Sequence, residues 1–260
     1  MYTYKKVIRC RSMVEVEVYN SIRQIGKNYG GRGINKRLSP KKQRIANQIR
    51  AIRKWEQVID VNFDERDFFC RFSAPYGTFD SEDMFMRHVQ NFFKRVKRRA
   101  DKLGLEFKYI GFRECGKRGK NWHMHIILGA DIVPIAMECW YYKDGGINLT
   151  PLYSNHSYEK LAQYIRKDLT EKKIDGTDDG LSLGGKRMMA SRNLSRPEVS
   201  VHKCSRREVR RLERGEWIEP PPGFYLDKDE MTKDISDVTG AAYYFKYRAF
   251  AFPTMKKGRF

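Results

Sequence analysis

The chain has 260 residues, 40% hydrophobic and 13% aromatic, so most of it should fold around a sizeable core. It carries 52 Lys and Arg against 32 Asp and Glu, a formal net charge of +20. Self-repulsion of that size is relieved by a polyanion, and nucleic acid is the usual one. The five cysteines, Cys10, Cys70, Cys115, Cys139 and Cys204, form no CxxC pair, which excludes a disulfide framework and a thiolate zinc site. No apolar run approaches the roughly 20 residues of a membrane span, and the N-terminus has no apolar leader core. A soluble protein of a reducing cytosol is expected.

In chain order, residues 1–42 read as a basic arm, with NYGGRGINKRLSPKK as its Gly-rich, mobile part. A helix follows. Ile45, Ile49, Ile52 and Ile59 share one face, and Arg50, Arg53 and Lys54 lie on the other. Those three cations are either a solvated face or contacts to backbone phosphates. Residues 67–75 read as a strand ending at a Pro-Tyr-Gly turn. Asp80 with Asp83 marks the start of a long helix whose stripe is Phe85, Val89, Phe92, Phe93 and Val96. Residues 106–115 and 122–130 read as a hairpin around the basic turn GKRGKN. Residues 158–169 read as a helix, with Leu161, Ile165 and Leu169 inside. KRMMASRNLSRPEVSV reads as a strand broken near Pro197.

The order strand–helix–strand–strand–helix–strand predicts an α+β fold: a ferredoxin-like or RRM-like antiparallel sheet, helices on one face and the other free for a site. The expected domains are the arm at 1–42, a central domain at 43–203 and an extension at 204–260. In the extension, SRREVRRLERGEW suggests a short basic helix, PPP at 220–222 a turn, and AAYYFKYRAFAF a strand. No GxxxxGK[ST] motif marks an ATPase motor.

His123-Met124-His125 is the sharpest local feature. Alternation in a strand points both imidazoles to one face and Met124 to the core. Glu114, across the hairpin turn, can pair beside them. Two histidines and a carboxylate make a divalent-metal site with open positions for a phosphate. Tyr164 lies off the apolar stripe of its helix, flanked by Lys160 at i−4 and Lys167 at i+3. Two ammonium groups favour ionisation of a phenol, which a tyrosine nucleophile requires.

FRECGKRGKNWHMHIIL followed by YIRKDL resembles the HUH endonuclease superfamily, specifically the replication-initiator (Rep) proteins of rolling-circle phages, plasmids and mobile elements. RIANQIRAIRKWEQVIDVNF and SRNLSRP resemble their flanking segments, so the likeness covers roughly residues 43–200. Where such proteins often have a Thr-rich strand, this chain has FCRFSAP, with Arg71 and Ser73. The resemblance implies that His123, His125 and Glu114 hold Mg²⁺ or Mn²⁺. It further implies that Tyr164, aided by Lys167, nicks single-stranded origin DNA through a 5′-phosphotyrosine. Arg113, Lys117, Arg118, Lys120, Lys160, Arg50, Arg53 and Lys54 are expected DNA contacts. A host helicase and polymerase are the expected partners, in a prokaryotic cytoplasm. A relaxase or transposase of the same chemistry is the alternative, and a non-catalytic RRM-like binding module is a third.

Overall fold

The computed structural model describes residues 2–21, 41–116, 120–142, 145–153, 157–165, 188–214, 216, 220–226, 232–235 and 243–251. The chain divides into two compact units: Ile45–Arg196, and a second built from residues 1–44 with 197–260.

The central unit holds a five-stranded sheet in the order β6-β3-β5-β4-β7, every neighbouring pair antiparallel. Its strands are β3 (Phe68–Ser73), β4 (Tyr109–Cys115), β5 (Trp122–Leu128), β6 (Ile147–Pro151) and β7 (Met188–Ala190). Alternation sends Met124, Ile126 and Leu128 of the central β5 into one core, with Cys70 and Phe72 of β3. Helices α2 (Glu82–Lys102) and α3 (Val133–Cys139) cover that face. The stripe Phe85, Val89, Phe92 and Val96 is fully buried there. Helix α2 starts one residue after the expected cap: Ser81, not Asp80, accepts the amide of Met84, at 3.3 Å. Glu82 and Asp83 in its first turn, and Arg99 and Lys102 in its last, complement the helix dipole.

The opposite face is not free, contrary to the expectation from the sequence. Ile110, Phe112 and Ile127 point there. They pack with Ile52, Val58, Ile59 and Phe63 of α1 (Lys41–Asn62) and with Ala162 and Ile165 of α4 (Glu159–Ile165). Both faces of β4 and β5 are apolar, so each needs cover. Within α1 the expected stripe holds at Ile52 and Ile59 but not at Ile49, which is 47% exposed. The β3-β5-β4 centre with its α2 crossover is the expected RRM-like arrangement. The edge beside β3, however, is filled by the unanticipated β6, and β7 takes the edge beside β4.

The second unit corrects the reading of residues 1–42 as an arm. Strands β1 (Tyr2–Arg9) and β2 (Met13–Ser21) form a hairpin inside another antiparallel sheet. The alternation of Val14, Val16 and Val18 with Glu15 and Glu17 is the period-2 pattern that buries one side. The Gly-rich stretch from Asn28 to Pro40 lies outside the described residues. Strands β8 (Glu198–Lys203), β9 (Phe224–Leu226), β10 (Thr232–Ile235) and β11 (Tyr243–Ala251) come from the other end of the chain. The order is β10-β11-β2-β1-β8, with β9 also on β11. Pro197 thus separates two strands in two different sheets, where one broken strand was expected. Glu15 and Arg248, in register across β2 and β11, form a buried ion pair at 3.5 Å. Helix α5 (Arg206–Glu213) lays Val209 against the valine face.

Candidate metal and nucleophile site

Strand register assembles this site. Glu114 stands opposite His123, and Phe112 opposite His125, all on the face of β4 and β5 that looks toward α4. The close approach of the two strands requires a glycine: a Cβ on Gly111 would lie 2.2 Å from the backbone oxygen of His125. The Nε2 atoms of His123 and His125 lie 3.4 and 3.8 Å from Oε2 of Glu114. One ligand atom from each of the three falls within 4.8 Å of the others, the one such grouping of three among the described residues. Ligands about 2.1 Å from a common ion stand about 3 to 4 Å apart, so these fit a divalent cation after a small closure. Nδ1 of His123 lies 3.0 Å from the carbonyl oxygen of Asn121. Donation there leaves Nε2 as the free lone pair. Both imidazoles are buried, while the Glu114 side chain is one-third exposed at 33%, so the site opens on the carboxylate side.

Tyr164 stands edge-on over this group. Its ring centroid is 5.7 Å from that of His125, 5.5 Å from Phe112 and 5.9 Å from Phe69. Phe112, His125 and Phe69 stack side by side across three strands beneath it, at 4.9 and 5.5 Å. Tyr164 itself is 40% exposed. The N-terminus of α4 is fixed by Ser157, whose hydroxyl accepts from the amide of Glu159 and donates to buried Glu56. Tyr158 is buried, away from Tyr164.

The expected cations scatter. Arg113 is turned to the other face, 8% exposed, where its Nε donates to Glu82 at 2.5 Å. Adjacent residues of a strand face opposite ways, so Glu114 at the site puts Arg113 away from it, and the reading of Arg113 as a DNA contact fails. Lys120 is exposed beside the hairpin turn, and Lys160 is exposed on α4. Arg50 and Lys54 are exposed on α1, and Arg53 is half-buried. Lys117, Arg118 and Lys167 lie outside the described residues. Trp122 stacks on Phe85 at 5.6 Å, as a core residue.

Arg71 was missed as a site residue. It is exposed on β3, in register with His125 on one side and Asn148 on the other. Alternation places it on the site face between Phe69 and Ser73. Cys70 behind it is inert, its thiol pushed up to about 12 by burial.

The fold and site define an α+β protein with two histidines and one carboxylate gathered beneath a helix-borne phenol. Residues 77–173 match a family model, that of the ORF2-type replication-associated proteins. The match takes in Glu114, His123, His125 and Tyr164 and supports a replication-initiator protein that binds DNA. No curated protein and no solved structure matched the chain. Among the described residues, no helix is long and apolar enough to cross a membrane.

Proposed function

We propose that this protein nicks and rejoins single-stranded DNA at a replication origin, with Tyr164 as nucleophile, and so starts rolling-circle replication by HUH endonuclease chemistry. The observation that carries the reading is the meeting of Glu114, His123 and His125 directly beneath the ring of Tyr164. Mg²⁺ or Mn²⁺ held by those three residues would draw charge from the non-bridging oxygens of a phosphodiester. The Tyr164 hydroxyl loses its proton and its oxygen attacks phosphorus. The P–O3′ bond breaks, leaving a 5′-phosphotyrosine and a free 3′-OH, a primer for a host polymerase. Lys160, and Lys167 beyond the described residues, would favour the phenolate. Arg71 would hold a neighbouring phosphate of the strand, the role that the sequence assigns to Arg113. A later 3′-OH attacks the phosphotyrosine, restores the phosphodiester and releases Tyr164.

The binding-module alternative requires exposed stacking aromatics on the sheet. On this face Phe112 is buried and lies beneath Tyr164. The relaxase and transposase alternatives share the chemistry and differ in the DNA they receive.

The test uses a library of single-stranded oligonucleotides and Mn²⁺, with adducts resolved on a denaturing gel and their trapped ends sequenced. Wild-type protein should form an adduct that EDTA abolishes. Tyr164→Phe should lower adduct yield on the order of a thousand-fold or more while binding the same strands normally. Undiminished adduct in that variant, or adduct indifferent to EDTA, would overturn the reading.

A further inference from the structure

A second concentration of chemistry lies in the other unit, on α5. Arg206, Arg210 and Arg214 follow one another at i, i+4 and i+8, flanked by Arg207 and Arg211. Together with Glu216 these five arginines line a cleft of about 750 Å³. The helix that carries them is held firmly. Ser205 and Glu208 form a capping box: the Ser205 amide donates to Glu208 at 2.8 Å, and the Glu208 amide donates to the Ser205 hydroxyl at 3.2 Å. Val209 packs against the valine face of the sheet, so the arginines are turned outward.

The charge of this row is not balanced locally. Glu216 pairs with Arg211 at 2.8 Å and with Arg214 at 3.7 Å. Arg206, Arg207 and Arg210 form no ion pair among the described residues. Like charges at i and i+4 destabilise a helix by a few tenths of a kcal/mol per pair. A polyanion laid along the row removes that cost. From Arg206 to Arg214 the row spans about 12 Å at 1.5 Å per residue. A DNA strand presents one phosphate per about 3.4 Å of axis, so the row meets three or four phosphates. Guanidinium groups suit such phosphates through paired N–H donors.

We infer that α5 is a sequence-independent binding element for the DNA backbone, separate from the residues that cleave. The choice of DNA as the polyanion rests on the nicking function proposed above; the arginine row does not.

The experiment titrates the full chain against a short duplex of arbitrary sequence between about 50 and 200 mM salt. R206Q/R207Q/R210Q should make the slope of log K against log salt shallower by about two to three units. R206K/R207K/R210K, which keeps the charge, should retain most of the slope. The control is K94Q/R98Q/K102Q on α2, exposed residues in a row along one helix face with the same loss of charge; its slope should stay at the wild-type value. An unchanged slope in the glutamine variant, or an equal drop in the control, would overturn the inference. So would loss of binding to phosphatidylserine vesicles by the glutamine variant with its duplex slope intact. The same proteins are assayed for covalent adduct on saturating single strands. Adduct from the glutamine variant at wild-type yield is expected, whereas absence of adduct from every protein counts against the nicking function and leaves the slope comparison standing.

Discussion

Arg113 and Arg71 show what a residue's position in a strand decides. They look alike in the sequence, one beside Glu114 and one in an unremarkable apolar run. Alternation turns Arg113 to Glu82 on the α2 face and Arg71 to the site face beside His125. The two substitutions should therefore separate cleanly. Arg71→Ala should weaken single-strand binding about tenfold with an unchanged melting temperature. Arg113→Ala should leave strand binding alone and cost about 1 kcal/mol of stability, because its pair with Glu82 is only partly shielded. Fluorescence anisotropy and thermal melts read both, and the reverse pattern would exchange the roles. The His-Met-His pattern was legible because its logic is local: two residues apart means one face. Arg71 was not, because its neighbours come from β5 and β6, and register between distant strands is not written in either strand alone.

At the scale of elements, α2 was the clearest, since its apolar stripe runs over four turns. Helix α3 and strand β6 went unread because one has seven residues and the other five, and β6 is an edge strand of half-buried and exposed residues ending in Pro151. Helix α2 also carries His88, packed against Trp140 and Tyr142 at 5.0 and 4.7 Å. Burial, with Arg95 nearby, lowers its pKa to about 4, and its Nε2 finds no hydrogen-bond partner among the described residues. The folded value lies below the ordinary 6.5, so the unfolded chain takes the proton first. Stability is full above about pH 6.5 and falls as pH drops toward about 4. Because the ring is only half-buried, the loss should be on the order of 2 kcal/mol. Chemical denaturation at about pH 7 and about pH 4.5 should show a drop that His88→Phe reduces; equal drops in both proteins would show that His88 is not its source.

For the whole molecule, the basic character of residues 1–54 drew attention from the alternation at Val14–Val18, and an arm was expected where two strands lie. Nothing in those strands says that their partners are β8 and β11. Removal of residues 232–260 should strip β11 from β2 and leave Glu15 buried without Arg248. Hydrogen exchange should then show lost protection at β1 and β2 with β5 still protected. Lost protection at β5 as well would show that the two units fold as one. The interrupted course of the outer sheet also sets a schedule for synthesis. Met13 meets Arg248 across 235 positions of chain. A ribosome adding about 5 to 20 residues each second needs roughly 10 to 50 s to cover that distance. For that interval the first hairpin exists as a bare two-stranded ribbon, too small to be stable alone, while the unit that carries the histidines emerges complete. Cleavage machinery is thus finished on the nascent chain before the sheet that flanks it in sequence can close.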